Sequence, residues 1–145
     1  MLKQEPLPGS GDVRGSIVSI SSVAGINASP GVSPYSSTKH AIIGISKTDA
    51  QNYGPHGIRV NVVCPGVTDT PAFRKITPAG AEKAVTDITP LGRLGKAEEI
   101  GEVIVFLSSS KASFMTGAVV VADGGIALQR KTDSRTGDKP FNHVS

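Results

Sequence analysis

Tyr35 and Lys39 stand four residues apart, a spacing that puts two side chains on one face of a helix. A phenol titrates near 10 in water and exchanges protons sluggishly at neutral pH. An ammonium held beside it favours the phenolate and makes the phenol a workable acid or base. Ser22, thirteen residues before Tyr35, offers a hydroxyl that could hold a substrate oxygen while Tyr35 passes it a proton. The three groups suit reduction of a carbonyl or oxidation of an alcohol, with hydride supplied by another molecule. Each also has a plainer reading. A Tyr-x-x-x-Lys pair can be an exposed helix pair, and Ser22, amid Ser19, Ser21 and Ser29, can be a turn residue. Asn61 and Cys64 fall in an apolar run and read as core. His40, His56 and His143 show no ligand spacing, so no metal site is expected.

These residues need elements to position them. Ser16 to Ser21 is short and β-branched and reads as a strand, followed by a Gly/Ser/Pro-rich loop from Gly25 to Ser33. Ser33-Pro34 predicts a helix start, with Ser33 as N-cap, and Gly54-Pro55 its end. Ile58 to Cys64 reads as a second strand stopped by Pro65-Gly66. The stretch from Val67 to Lys96 reads as loose, with room for a short helix near Thr77-Pro78. Ala97 to Ser108 has Ile100, Val103, Ile104 and Leu107 at helical spacing. Ala118 to Ala122 is an uninterrupted apolar run of the kind buried on both faces of a parallel sheet. Strands alternating with helices predict an open parallel α/β sheet. Ligands of such sheets bind beyond the carboxyl ends of the strands, which points to Ser21-Ser22, to residues 65–70 and to Asp123-Gly124-Gly125.

Composition narrows the classes. The 145 residues suit one domain, and 38% hydrophobic with 19% charged residues is globular usage. The net charge of +3 is concentrated after Ala127, where Arg130, Lys131, Arg135 and Lys139 face only Asp133 and Asp138. That leaves too little charge elsewhere for a phosphate-tracking surface, and no nucleic-acid partner is expected. No apolar run approaches the roughly 18–20 residues of a membrane span. One cysteine cannot form an internal disulfide. A cytoplasmic location is the expectation.

Ser22, Tyr35 and Lys39, in that order, resemble the catalytic triad of the short-chain dehydrogenase/reductase family. Gly15 to Gly25 is similar to the family's fifth strand and serine loop, and Tyr35-Ser36-Ser37-Thr38-Lys39-His40-Ala41 to its active-site helix. Gly57 to Gly66 resembles the sixth strand, and Thr116 to Gly125 the seventh. The resemblance implies the C-terminal half of a Rossmann-like doubly wound parallel sheet, three strands with covering helices. It further implies Tyr35 as proton-transfer acid/base, with Ser22 polarising the substrate carbonyl and Lys39 serving both the phenol and the nicotinamide ribose. Pro65, Gly66, Thr68 and Thr70 would meet the nicotinamide carboxamide of NADP or NAD, NADP being favoured. Thr68 stands where the family often has Ile or Val, which leaves a backbone contact open to it. Residues 71–90, with Ala72, Phe73, Ile76 and Ala79, would form a mobile substrate lid over a ketone or secondary alcohol.

The same resemblance marks what these residues lack. No glycine-rich phosphate turn follows a strand, and neither the cofactor-selecting residue nor the asparagine of the family's proton relay is present. The expected organisation is therefore a loop or remnant over 1–14, the catalytic part of the domain over 15–127, and a polar, disordered tail over 128–145. Two functions follow: an NAD(P)-dependent oxidoreductase, or a catalytically inactive fragment that acts as an interaction or oligomerisation module. Association with further copies is the partner expectation besides the small-molecule substrate.

Overall fold

A computed structural model describes residues 1–6, 12–28, 31–78 and 80–128. Three parallel strands form the central sheet: β1 (Gly15–Ile20), β2 (Ile58–Pro65) and β5 (Val119–Ala122), in the order β1-β2-β5. The register runs from Gly15 opposite Ile58 to Ile20 opposite Val63, and from Val62 opposite Val119 to Pro65 opposite Ala122. Between β2 and β5 lie β3 (Thr68–Asp69), α2 (Pro71–Ile76), α3 (Ala81–Ile88), β4 (Gly95–Lys96) and α4 (Ala97–Ser108). The long helix α1 (Ser33–Tyr53) joins β1 to β2. The α/β parallel sheet expected from the alternation is present.

Strand alternation assigns each face of β2 a helix. Ile58 and Val60 pack with Ala50 of α1 and with Tyr53. On the opposite face Val63 packs with Leu107 of α4 and Ala112, extended by Val18, Ile100, Val103, Ile104 and Val120. Seven of the eight β2 residues are buried, so this strand is the core's axis. Asn61 and Cys64 are fully buried within it, as expected. Asn61 is satisfied: its amide donates to the Met115 carbonyl at 2.8 Å and accepts from Ala118 N–H at 3.1 Å. It thereby fixes the turn that launches β5.

Three expectations change. Helix α1 begins one residue earlier than its sequence signal: Val32 is the N-cap and makes no side-chain cap bond, while Ser33 and Pro34 lie in the first turn. The stretch 67–96 is more ordered than its Thr, Pro and Gly content predicts. It holds α2, α3 and a small parallel β3–β4 pair, Thr68 opposite Gly95 and Asp69 opposite Lys96, and the helix expected near Thr77-Pro78 starts only at Ala81. Strand β5 is not buried on both faces. It forms one edge of the sheet, none of its residues is fully buried, and Val121 is 45% exposed. At the end of the described residues a 3-10 turn covers Ile126–Leu128; the rest of the expected tail, and Ala79 of the expected lid, lie outside the described residues.

Candidate active site

The backbone leaving β1 makes one more sheet bond, Ser21 N–H to the Val63 carbonyl at 2.8 Å, and then turns. Ser22 is extended and caps the 3-10 turn Val23–Gly25, its Oγ accepting from Ala24 N–H at 3.1 Å. With the oxygen accepting there, the hydroxyl hydrogen is what Ser22 can offer a carbonyl. This turn is pressed against α1. A Cβ at Gly25 would overlap the Ser21 hydroxyl and come within 2.8 Å of the Lys39 carbonyl oxygen.

Helix α1 presents Tyr35 in its first turn, 49% exposed. The Lys39 ammonium lies 5.6 Å from the centroid of the Tyr35 ring and donates to the Ile20 carbonyl at 3.2 Å. One ammonium therefore bridges the phenol and the strand end that immediately precedes Ser21-Ser22. The lysine's own carbonyl accepts from Ser21 Oγ at 2.8 Å, so residue 39 is gripped through both its side chain and its backbone. The predicted one-face placement of Tyr35 and Lys39 holds in the structure.

Residues 65–70 extend from the carboxyl end of β2. Gly66 N–H donates to the Ala122 carbonyl at 3.0 Å, and a Cβ at Gly66 would come within 2.7 Å of the Asp123 backbone. Only glycine permits that approach. Thr68 Oγ1 donates to the Gly66 carbonyl at 3.2 Å. Thr70 is the N-cap of α2, its Oγ1 accepting from Phe73 N–H at 3.2 Å, and its hydroxyl hydrogen remains a donor group. A cavity of about 210 Å³ adjoins this segment, lined by Gly66, Thr68, Leu91, Arg93 and Asp123 among others. Ser22, Tyr35 and Lys39 do not line it. The structure thus brings Lys39 to Tyr35 and to the serine turn, and places Pro65, Gly66, Thr68 and Thr70 at the same carboxyl-end rim of the sheet.

Two residues that the sequence reading placed only at a strand end and in the core, Ser21 and Cys64, matter here. Ser21 is buried and ties the turn to α1. Nothing in the residue types of two adjacent serines separates the inward from the outward one. Cys64 lies beside them on β2, one residue beyond the Val63 that stands opposite Ile20, and burial pushes its thiol pKa up. Among the described residues no cluster of three or more potential metal ligands occurs, and no helix is long and apolar enough to cross a membrane.

Comparison with known proteins gives the chain its relatives. The family model described as enoyl-(acyl carrier protein) reductase matches residues 3–127. A short-chain dehydrogenase of Neurospora crassa is 44% identical over 126 residues, covering 86% of this chain and 46% of that protein. The 3-oxoacyl-acyl-carrier-protein reductase of Thermotoga maritima is 45% identical over 115 residues, covering 79% and 46%. Among solved structures, a gluconate 5-dehydrogenase from Burkholderia cenocepacia, in complex with NADP and tartrate, superposes with a TM-score of 0.76 at 30% identity. It covers 80% of this chain and 46% of its own. The chain spans about half the length of the curated relatives it matches. By this match and by its parallel sheet with the serine turn and Tyr-Lys helix at the carboxyl end, the chain belongs to the short-chain dehydrogenase/reductase family.

Proposed function

We propose that these residues form the proton-transfer half of an NAD(P)-dependent oxidoreductase that interconverts a ketone and a secondary alcohol. The single observation that supports it most is the Lys39 ammonium, 5.6 Å from the Tyr35 ring and bonded to the Ile20 carbonyl beside the serine turn. In the reductive direction Ser22 donates a hydrogen bond to the substrate oxygen, polarising the carbonyl. Tyr35 delivers the proton to that oxygen as it gains charge. Lys39 stabilises the phenolate left behind, because a cation beside an anion in a partly desolvated site is worth more than in water.

The residues present fit the nicotinamide end of a dinucleotide. Backbone groups around Gly66 and Thr68 and the Thr70 hydroxyl suit a carboxamide, and the Lys39 ammonium suits a ribose hydroxyl. When bound, that cofactor supplies or accepts the hydride. Relatives solved with NADP and with NADH are both similar to this chain; NADP is the favoured choice. No glycine-rich phosphate turn is among these 145 residues, so the chain by itself is expected to bind NADPH weakly, and low-micromolar affinity in a calorimetric titration would contradict that. The decisive variant is Tyr35→Phe. Reduction of ethyl acetoacetate or cyclohexanone, followed by NADPH absorbance, is expected to fall by about a hundredfold or more. Unchanged turnover rejects the assignment.

A second reading is a module that docks rather than catalyses. It is supported by the edge position of β1, with Ile17 and Ile20 exposed on it. Co-elution with a full-length relative on size exclusion, without ketone reduction, favours that reading.

A further inference from the structure

The contact between the serine turn and α1 is made by a residue that the proposed chemistry does not use. Ser21 is 3% exposed. Its Oγ donates to the Lys39 carbonyl at 2.8 Å, across eighteen positions of sequence. Its neighbour Ser22 points its oxygen to Ala24 instead. Gly25 leaves the room that the Ser21 hydroxyl occupies, since a Cβ there would overlap that oxygen and crowd the Lys39 carbonyl. From the other side, Lys39 Nζ reaches back to the carbonyl of Ile20, the residue before Ser21. Residues 20 and 21 therefore hold residue 39 at two points, and Cys64 lies beside Ser21 on β2, in the register that sets Ile20 opposite Val63.

Two hydrogen bonds that cross between the same short segments fix both distance and rotation; one bond alone leaves a hinge. The segments joined are the one carrying Ser22 and the one carrying Tyr35 and Lys39. We propose that Ser21 is a positioning residue: its hydroxyl, in the space left by Gly25, locks the serine turn onto the Tyr-Lys helix and so sets the spacing between Ser22 and Tyr35. The catalytic consequence rests on the oxidoreductase reading above; the lock itself does not. A displacement of about 1 Å between reacting groups can cost on the order of a hundredfold in rate, so a partial loosening is expected to cost about tenfold.

The sequence supplies a probe that needs no activity. Cys64 is the only cysteine, is fully buried, and lies under the turn. In the 145-residue chain, labelling of Cys64 by dithionitrobenzoate reports how often the turn lifts. A buried hydrogen bond contributes about 1 kcal/mol net, so Ser21→Ala is expected to speed labelling about fivefold to tenfold through local opening. Gly25→Ala, which keeps the hydroxyl but wedges the turn off the helix, is expected to do the same. Ser21→Thr, which restores the hydroxyl, should return the rate toward that of the unsubstituted chain. In the ketone-reduction assay, kcat should fall about tenfold in Ser21→Ala with KM within about twofold, since Ser21 touches no substrate. Ser21→Thr should recover it. Unchanged labelling in both Ser21→Ala and Gly25→Ala overturns the lock. Faster labelling with unchanged kcat overturns its role in positioning the reacting groups. With NADPH raised far above the weak affinity expected, absence of turnover in the unsubstituted chain counts against the oxidoreductase reading alone, and labelling then decides the lock.

Discussion

Arg59 shows how one buried residue can close several backbone accounts at once. It lies on the α4 face of β2, 7% exposed, with no carboxylate partner among the described residues. Its guanidinium donates to the carbonyls of Leu107, Ser108, Ser109 and Met115 at 2.9 to 3.4 Å. Those carbonyls belong to the last turn of α4 and the segment beyond it, where a helix leaves acceptors unpaired and its dipole favours a cation. Burial lowers the Arg59 pKa, yet a guanidinium starts so high that it stays charged at neutral pH. Replacing a buried ion pair by an apolar residue can be neutral, but here the Ser108 carbonyl would lose its donor, and those of Leu107, Ser109 and Met115 would each give up a charged donor and keep only Ser16, Ala112 N–H and Asn61. Arg59→Met is therefore expected to destabilise the chain by about 2–3 kcal/mol, read as a lowered urea midpoint at unchanged slope. Arg59→Lys should recover little, because a single ammonium cannot reproduce the fork. A midpoint unchanged in Arg59→Met rejects this account.

At the level of elements, the start of α4 is set by charge. Glu99 accepts from Lys96 N–H at 2.7 Å and takes a two-pronged contact from Arg93 at 2.6 and 2.8 Å. The Arg93 contact, then the backbone bond, lowers its pKa from 4.5 to about 2. A carboxylate lowered in the folded state stabilises the fold fully above its ordinary pKa, and that stabilisation disappears as pH falls through the folded value. Urea midpoints should accordingly decline between about pH 4.5 and 2, and Glu99→Gln should flatten part of that decline while lowering the midpoint at pH 7. A pH dependence identical in the two chains would show that Glu99 is not its source. This helix is the most legible element in the sequence: Ile100, Val103, Ile104 and Leu107 at helical spacing predict Ala97–Ser108, the observed bounds. Helix α2 was hidden because six residues are under two turns, too few to show a period. Its Thr70-Pro71 start is nonetheless the same cap signal that Ser33-Pro34 only imitates. The run Val119–Val121 spoke of apolarity, and apolarity alone does not say whether a neighbour covers it. At the site, Tyr35 and Lys39 were legible through spacing on one helix. The bond from Ser21 to Lys39 was not, since it joins segments that only the closed fold brings together.

For the whole molecule the decisive feature is how little of the sheet is flanked. Among the described residues β1 and β5 pair on one side only. Alternation sends Val18 and Ile20 toward the α4 face and Ile17 toward the α1 face, yet Ile20 is 49% and Ile17 40% exposed. Apolar side chains are thus uncovered on both faces of the same edge strand. Outside the sheet, Val105 and Phe106 of α4 are exposed, and Phe114 is fully so. Natural sheets blunt their edges with lysine, proline or bulges, and β1, Gly-Ser-Ile-Val-Ser-Ile, carries none of these residue types. Unpaired strand groups beside apolar surface are a template for pairing with another chain, and covering the exposed part of the two isoleucines contributes about 1–3 kcal/mol. The 14.9 kDa chain is therefore expected to associate as its concentration rises, with sedimentation-equilibrium masses above the monomer. A double variant, Ile17→Lys with Ile20→Lys, should shift the distribution back toward monomer, because two ammonium groups along one edge repel a second strand and resist burial. If the association instead runs through α4, Val105→Glu will dissociate it and the β1 variant will not. A monodisperse monomer over the whole concentration range would mean that neither surface is sticky enough to overcome the entropy of association.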